Sequence, residues 1–456
     1  MNERSRVVDP DELPATTSAG PSTTGLTARQ VRLLTIAVAL FVVSAIVCMA
    51  AGLWKGYIDL QVYRNGARVW LDGGNLYGPI PKVFGLGLPF TYPPLAALLF
   101  APLAVMHLYV AEWVMLALSI ACLALTVWLV SVRLRPRMDS PTRLALVIGA
   151  VALFGLSEPV RQTYNFGQIN LLLMAAITLD VLMRKPFWPR GMLIGIAVSI
   201  KLTPGGFLLY FLMRRDWRAA TTLVLSALGA VAVGFALFPH ESSQYWFHTV
   251  LDTGRIGQPS FPGNQSLKGM AFRLGVSEHT ADTVWIVLSV ITIALAAVLM
   301  ARLFAEEKRA RADPADARSA APAAPAAQLA ALIVNAAAVL LVSPISWSHH
   351  WVWVSLAAIV AADAIDRGRH ERHSRIFFQL STAAIAVMFM VGPQWLLPHL
   401  DGRERGWSLW EQVIGSSSVL VTFAVLVAAT VAYRPIYRPS PAKPLSGVRN
   451  AASAAE

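Results

Sequence analysis

Charge is scarce in this chain: Asp, Glu, Lys and Arg make up 14% of its 456 residues, against 56% hydrophobic. A soluble globular chain carries about a quarter charged residues, so that class is excluded. Cysteine is nearly absent. Cys48 and Cys122 both lie within apolar runs, which leaves no disulfide framework and no cysteine metal site. No HExxH helix occurs either, and the adjacent pair His349/His350 is a poor grip for one ion, because neighbours on a helix point about 100° apart. Hydrogen-bonding or packing roles are expected for these histidines, with no metal and no cofactor.

Long apolar runs are present instead. LLTIAVALFVVSAIVCMAAGL (33–53) and TTLVLSALGAVAVGFALF (221–238) each cover about 30 Å of hydrocarbon at ~1.5 Å per residue. Only helices satisfy their own backbone there. The expected class is therefore an all-α integral membrane bundle of about twelve spans, near 33–53, 108–132, 144–157, 168–184, 190–200, 203–213, 218–238, 284–303, 328–344, 350–366, 376–397 and 413–433. The first run lacks a small-residue cleavage site and reads as an uncleaved anchor. Residues 1–30 and 435–456 read as disordered cytoplasmic tails, and 31–434 as one polytopic domain. The segment 94–106, with Pro102, is too short to span and reads as re-entrant.

With the N-terminus inside, the basic clusters at Arg133/Arg135/Arg137, Arg184/Lys185, Arg214/Arg215/Arg218 and Arg367/Arg369/Arg372/Arg375 all fall in cytoplasmic loops. That is the positive-inside pattern, and it accounts for the net charge of +12 without any nucleic acid partner. The Ala/Pro-rich stretch 304–327 reads as a cytoplasmic linker. Two long loops, 54–93 and 239–283, face outward.

The span centres hold few ionisable groups, which disfavours an ion-coupled carrier. Asp59, Glu112, Glu158, Arg161, Lys201, Lys268, His349 and His350 instead map to the outer side, as do most of the fourteen tryptophans. That excess suits either sugar stacking or an aromatic belt. Asp59 follows the first span by six residues, where a carboxylate can take a proton from an acceptor hydroxyl. Arg64 and Arg68, one turn apart, suit a phosphate or an ion pair. Lys201 needs a partner, either a lipid phosphate or an internal acid such as Glu158. Gln168, Asn170, Asn264 and Gln265 read equally well as polar ligands or as helix ties.

Taken in order, YIDLQVYRNGARVW, LPFTYPPLAALLFAPL, FGQINLLL, KLTP, GNQSL and SPISWSHHWVW resemble glycosyltransferase family 87, over roughly residues 55–355. The resemblance implies a GT-C-type bundle with short helices in its outer first loop. It also implies transfer of mannose from a polyprenyl-phosphate donor to a mannose hydroxyl of a phosphatidylinositol mannoside or lipomannan-type glycolipid, forming an α-1,2 bond. Asp59 matches the family's base, with His349 or His350 orienting it or holding a sugar hydroxyl. Lys201, Arg64 and the loop carrying Asn264, Gln265 and Lys268 would hold the departing phosphate. Tyr63, Tyr92, Asn165, Gln168, Asn170 and Trp347 are further substrate contacts. The site would face the periplasm or exterior of the plasma membrane, with a groove for the donor's lipid tail beside 94–106. The alternatives are a flippase of a lipid-linked sugar, a transferase of another such sugar, arabinose for example, or a non-catalytic envelope scaffold.

Overall fold

The computed structural model describes residues 25–367, 372–399 and 401–436. The remaining parts of the expected tails, and Arg369, lie outside the described residues. The chain opens with α1 (Ala28–Ala50), started by a Thr27/Gln30 capping box. The loop after α1 carries α2 (Ile58–Leu71) and α3 (Pro94–Val105), followed by α4 (Leu108–Leu134), α5 (Ser140–Gly155), α6 (Glu158–Phe166) and α7 (Asn170–Leu182). Next come α8 (Met192–Val198), α9 (Leu208–Arg214) and α10 (Trp217–Leu237). The loop after α10 holds α11 (Pro239–Phe247) and α12 (Leu267–Arg273). Then α13 (Glu278–Ala312), the single turn α14 (Pro314–Ala317) and α15 (Ala323–Val342) lead to a 3-10 run, Ser348–Trp353. The chain closes with α16 (Val354–Arg367), α17 (Arg372–Val391), α18 (Leu409–Gly415) and α19 (Ser417–Val431).

The chain is a multi-pass membrane protein. α1, α4, α10, α13 and α15 are each long and apolar enough to cross a bilayer, and the bent pairs α5–α6 and α18–α19 raise the number from 5 to 7. Their outer surfaces present Leu, Ile and Val, while the few polar side chains turn inward. Among the described residues no strand forms; the only extended pairings are isolated bridges, Val83 with Leu86 and Asn264 with Trp347.

Two differences from the sequence reading matter for the site. The runs 190–200 and 203–213, read as separate spans, form α8 and α9 of seven residues each, about 10 Å apiece and far short of a crossing. Gly191 lies against Ala219, Gly195 against Leu223, and Ser199 Oγ donates to the Ala227 carbonyl at 3.3 Å. α8 thus runs beside the first half of α10, and α9 returns to the same end. The pair is a hairpin whose tip, near Lys201, stops about halfway along α10. The glycines permit this because a Cβ at Gly195 would sit 2.4 Å from the Leu223 carbonyl.

The second difference is the 304–327 linker. α13 continues through Ala312, and Asp316 accepts from the N–H groups of Ala323 and Ala324 at the start of α15. Glu307, buried at this end, pairs with Arg214 at 2.8 Å and Arg311 at 2.6 Å. Arg135 holds Asp363 and Asp366, and Arg367 also reaches Asp363. The expected basic end is thus partly a packed ion-pair network.

Candidate active site

Four segments distant in sequence meet near one end of the bundle: the start of α2, the α6–α7 corner, the tip of the α8–α9 hairpin, and the 3-10 run after α15. The start of α2 is pinned by Asn165. Its Oδ1 accepts from the N–H groups of Lys55 and Gly56 at 3.2 and 3.0 Å, and its carbonyl accepts from the N–H of Tyr57 at 2.5 Å. Tyr57 sits at φ 44 to make that bond. α2 rests on Gly167, where a Cβ would lie 2.7 Å from that of Leu60. This closeness lets the next residue, Gln168, hydrogen-bond Asp59 with its side chain. Gln168 Oε1 accepts from Tyr63 at 2.7 Å, the Tyr63 and Tyr92 hydroxyls share a 2.9 Å bond, and Tyr63 stacks on Phe100 with centroids 4.2 Å apart.

Burial pushes the Asp59 carboxyl up to about 6, opposed by the Gln168 hydrogen bond and the Lys201 charge. Its position in the first turn of α2 also favours the ionised form. Lys201 Nζ donates to Asn170 Oδ1 at 2.9 Å, lies 3.1 Å from His350 Nε2, and stands 5.6 Å from the centroid of the Tyr92 ring. An ammonium has three donors and no acceptor, so His350 Nε2 serves as the acceptor. Asn170 Nδ2 and Thr163 Oγ1 both bond the His349 carbonyl, at 2.9 and 3.0 Å, and so fix the turn that carries His350.

Asp59, Tyr92, Gln168, Lys201, Trp347 and His350 line one cavity of about 950 Å³. Its other end is apolar, formed by Leu209, Ile293, Ala338, Val339 and Val342 at the depth of the spanning helices. Ile293 is 41% exposed and Leu202, also lining, 38%, so this end opens toward the lipid-facing surface. No residue of α3 reaches the wall, although the segment just before it does, through Leu88, Pro89, Thr91, Tyr92 and Pro93. The apolar end is bordered by α13, α15 and the hairpin, and no residue of the 94–106 segment, expected beside a lipid-tail groove, lines it.

Several expected site residues stand elsewhere. Arg64 and Arg68 donate to the Leu103 and Ala104 carbonyls and cap the end of α3. Asn165 pins the loop before α2. Asn264 donates to the Pro259 and Pro344 carbonyls and accepts from the Ser346 N–H, tying its loop to the 344–348 segment, while Gln265 donates to the Pro262 and Gly415 carbonyls, tying the same loop to the end of α18. Lys268 pairs with Asp282 at 2.9 Å over the Trp285 ring. His349 is buried with its ring edge-on to Phe166, away from the cavity lining. Lys201 does not meet Glu158, which accepts from Trp395 Nε1 at 2.6 Å. Trp285, Trp351 and Trp407 spend their indole N–H on backbone carbonyls, so these three and Trp395 serve the scaffold.

Sequence reasoning missed Arg255 and Asn335, both in the cavity wall. Arg255 belongs to no motif and only its place in a long outer loop marks it. Asn335 is one of two amides in α15, with Gln328, and a polar side chain in an apolar run is a signal legible in the sequence.

A model of glycosyltransferase family 87 matches residues 90–344, a stretch that includes Tyr92, Gln168 and Lys201 but neither Asp59 nor His350. The chain is 38% identical over 402 residues, 83% of its own length and 87% of the relative's, to a polyprenol-phosphate-mannose-dependent alpha-(1-2)-phosphatidylinositol mannoside mannosyltransferase of Mycolicibacterium smegmatis. A protein of the same description from Mycobacterium tuberculosis is 36% identical over 386 residues, covering 82% of this chain and 84% of the relative. A polyprenol-phosphate-mannose-dependent alpha-(1-2)-phosphatidylinositol pentamannoside mannosyltransferase, also from Mycobacterium tuberculosis, is 30% identical over 386 residues, 82% of this chain and 81% of the relative.

Proposed function

The chain belongs to glycosyltransferase family 87, and from that premise we propose that it moves mannose from polyprenyl-phosphate mannose to a mannose hydroxyl of a phosphatidylinositol mannoside or lipomannan-type acceptor, forming an α-1,2 bond. The observation that carries this reading is a single cavity joining an ionisable carboxylate, Asp59, and an ammonium, Lys201, to an apolar lobe at membrane depth. A sugar on an isoprenoid phosphate has the same three-part character. The working face is the non-cytoplasmic one, since the basic ends of the helices lie opposite.

Asp59 takes the acceptor hydroxyl proton as that oxygen attacks the anomeric carbon. The bond from that carbon to the phosphate oxygen breaks on the far side, and polyprenyl phosphate leaves with inverted configuration at the sugar. Lys201, seated by Asn170 and His350, stabilises the charge gathering on the phosphate. Gln168, itself held by the Tyr63 and Tyr92 hydroxyls, keeps Asp59 in register. The assay is transfer of labelled mannose from polyprenyl-phosphate mannose to a phosphatidylinositol mannoside, with the product cut by an α-1,2-specific mannosidase. Movement of the donor across the bilayer with no new glycosidic bond would overturn the reading in favour of a flippase.

Asp59 must be ionised to act. With its carboxyl raised to about 6, protonation removes the base on the acid side, so kcat/KM falls as pH drops through about 6 and is flat above it until another group titrates. A profile without that acid limb contradicts the assignment. The apolar lobe yields a second expectation: Ala338→Trp, filling it from α15, raises the KM for a long-chain donor by about tenfold and affects a short-chain donor much less.

A further inference from the structure

Two cations line the cavity, and the mechanism uses one. Lys201 sits at the reaction centre, where its charge is felt by Asp59. Arg255 stands on a 3-10 turn of the second outer loop, Thr253–Ile256. Its Nη2 donates to the Tyr77 carbonyl at 2.9 Å, and its Nε is buried without a hydrogen-bond partner. No carboxylate among the described residues forms an ion pair with it, although Asp252 lines the same cavity. A guanidinium held by one neutral carbonyl in a cavity wall is a fork prepared for an anion.

The surroundings of Arg255 say which anion. Phe247, Leu251 and Ile256 are 64%, 78% and 40% exposed. The Phe247 ring lies 6.4 Å from that of Phe235, near the outer end of α10, so this loop continues the lipid-facing surface of a spanning helix. A cation bordered by exposed apolar side chains at the edge of a bilayer suits a phospholipid head group, with the phosphate on the cation and the acyl chains beside the apolar surface.

We propose that Arg255 binds the phosphodiester of a phospholipid-anchored acceptor at the mouth of the cavity, while the acceptor's terminal sugar reaches Asp59. This rests on the mannosyl-transfer reading above and names the residue that holds the acceptor's phosphate. A volume of about 950 Å³ is at the upper end of small-ligand pockets, about 300–1,000 Å³, and has room for a donor sugar phosphate beside the acceptor's terminal sugar.

The test compares Arg255→Gln with the unsubstituted full-length protein on two acceptors, phosphatidylinositol dimannoside and a phosphate-free octyl α-mannobioside, with polyprenyl-phosphate mannose as donor. The expected result is a rise of about tenfold or more in the ratio of the two KM values, partly restored in Arg255→Lys, which keeps the charge and loses the fork. An unchanged ratio overturns the proposal, as does a rise in the donor KM alone, which would put Arg255 on the donor phosphate. Equilibrium binding of each acceptor without donor reads the same ratio independently of turnover. Asp59→Asn should lower kcat with both acceptors and leave the ratio alone, so failure of the base and failure of the phosphate site are read separately.

Discussion

Asp59→Asn should lower kcat by about a thousandfold while the protein still folds and binds donor. The size follows from removing a general base, which is worth roughly 10²–10⁴ in rate. Asn preserves the shape of the side chain at its place in the first turn of α2, and its amide can still meet the Gln168 side chain, so the local structure has little reason to change. What disappears is the ability to accept a proton. The measurement is single-turnover mannosyl transfer by the purified variant, with donor binding followed separately. Near-normal transfer would remove Asp59 from the mechanism and require another base in the same cavity. The other carboxylate in its lining is Asp252.

Lys201→Met should lower kcat by about a hundredfold or more, the scale of losing one preorganised charge contact to a leaving group. It carries a second signature. The Lys201 charge holds the Asp59 carboxyl down against the effect of burial, so removing it lets that carboxyl rise above about 6. The acid limb of kcat/KM should therefore move to higher pH in the residual activity. A purely structural lysine would reduce activity without shifting the limb, which makes the pH profile the deciding observation. Lys201→Arg should recover little, because the seat made by Asn170 Oδ1 and His350 Nε2 is shaped for a compact ammonium and a planar fork cannot occupy it.

Much was legible before any fold was drawn. Apolar runs of spanning length dictated a helical membrane protein, because a single segment satisfies its own backbone in hydrocarbon only as a helix, and the placement of Lys and Arg implied an orientation. α4, α10 and α15 lie within a few residues of their expected positions, since a membrane core imposes a length on each crossing. Asp59 was also legible as a carboxylate placed just beyond the first span, and the ordered motifs named the family.

Tertiary structure alone decided the partners. A lysine between two short apolar segments has no readable mate, and only the hairpin beside α10 carries it halfway into the bundle to Asn170 and His350. Asn264, Gln265 and Arg64 have the composition of ligands and the geometry of fasteners, because buried backbone carbonyls at helix ends and loops must be satisfied by whatever donor is nearest. Arg255 belongs to no motif, and its role depends on a loop folding against Tyr77 and over the cavity. Residue type and spacing set which groups can ionise and which segments must cross. Which of those groups face one another depends on packing between residues from 31 to 149 positions apart, as Lys201 with Asn170 and with His350, and local sequence holds no record of that.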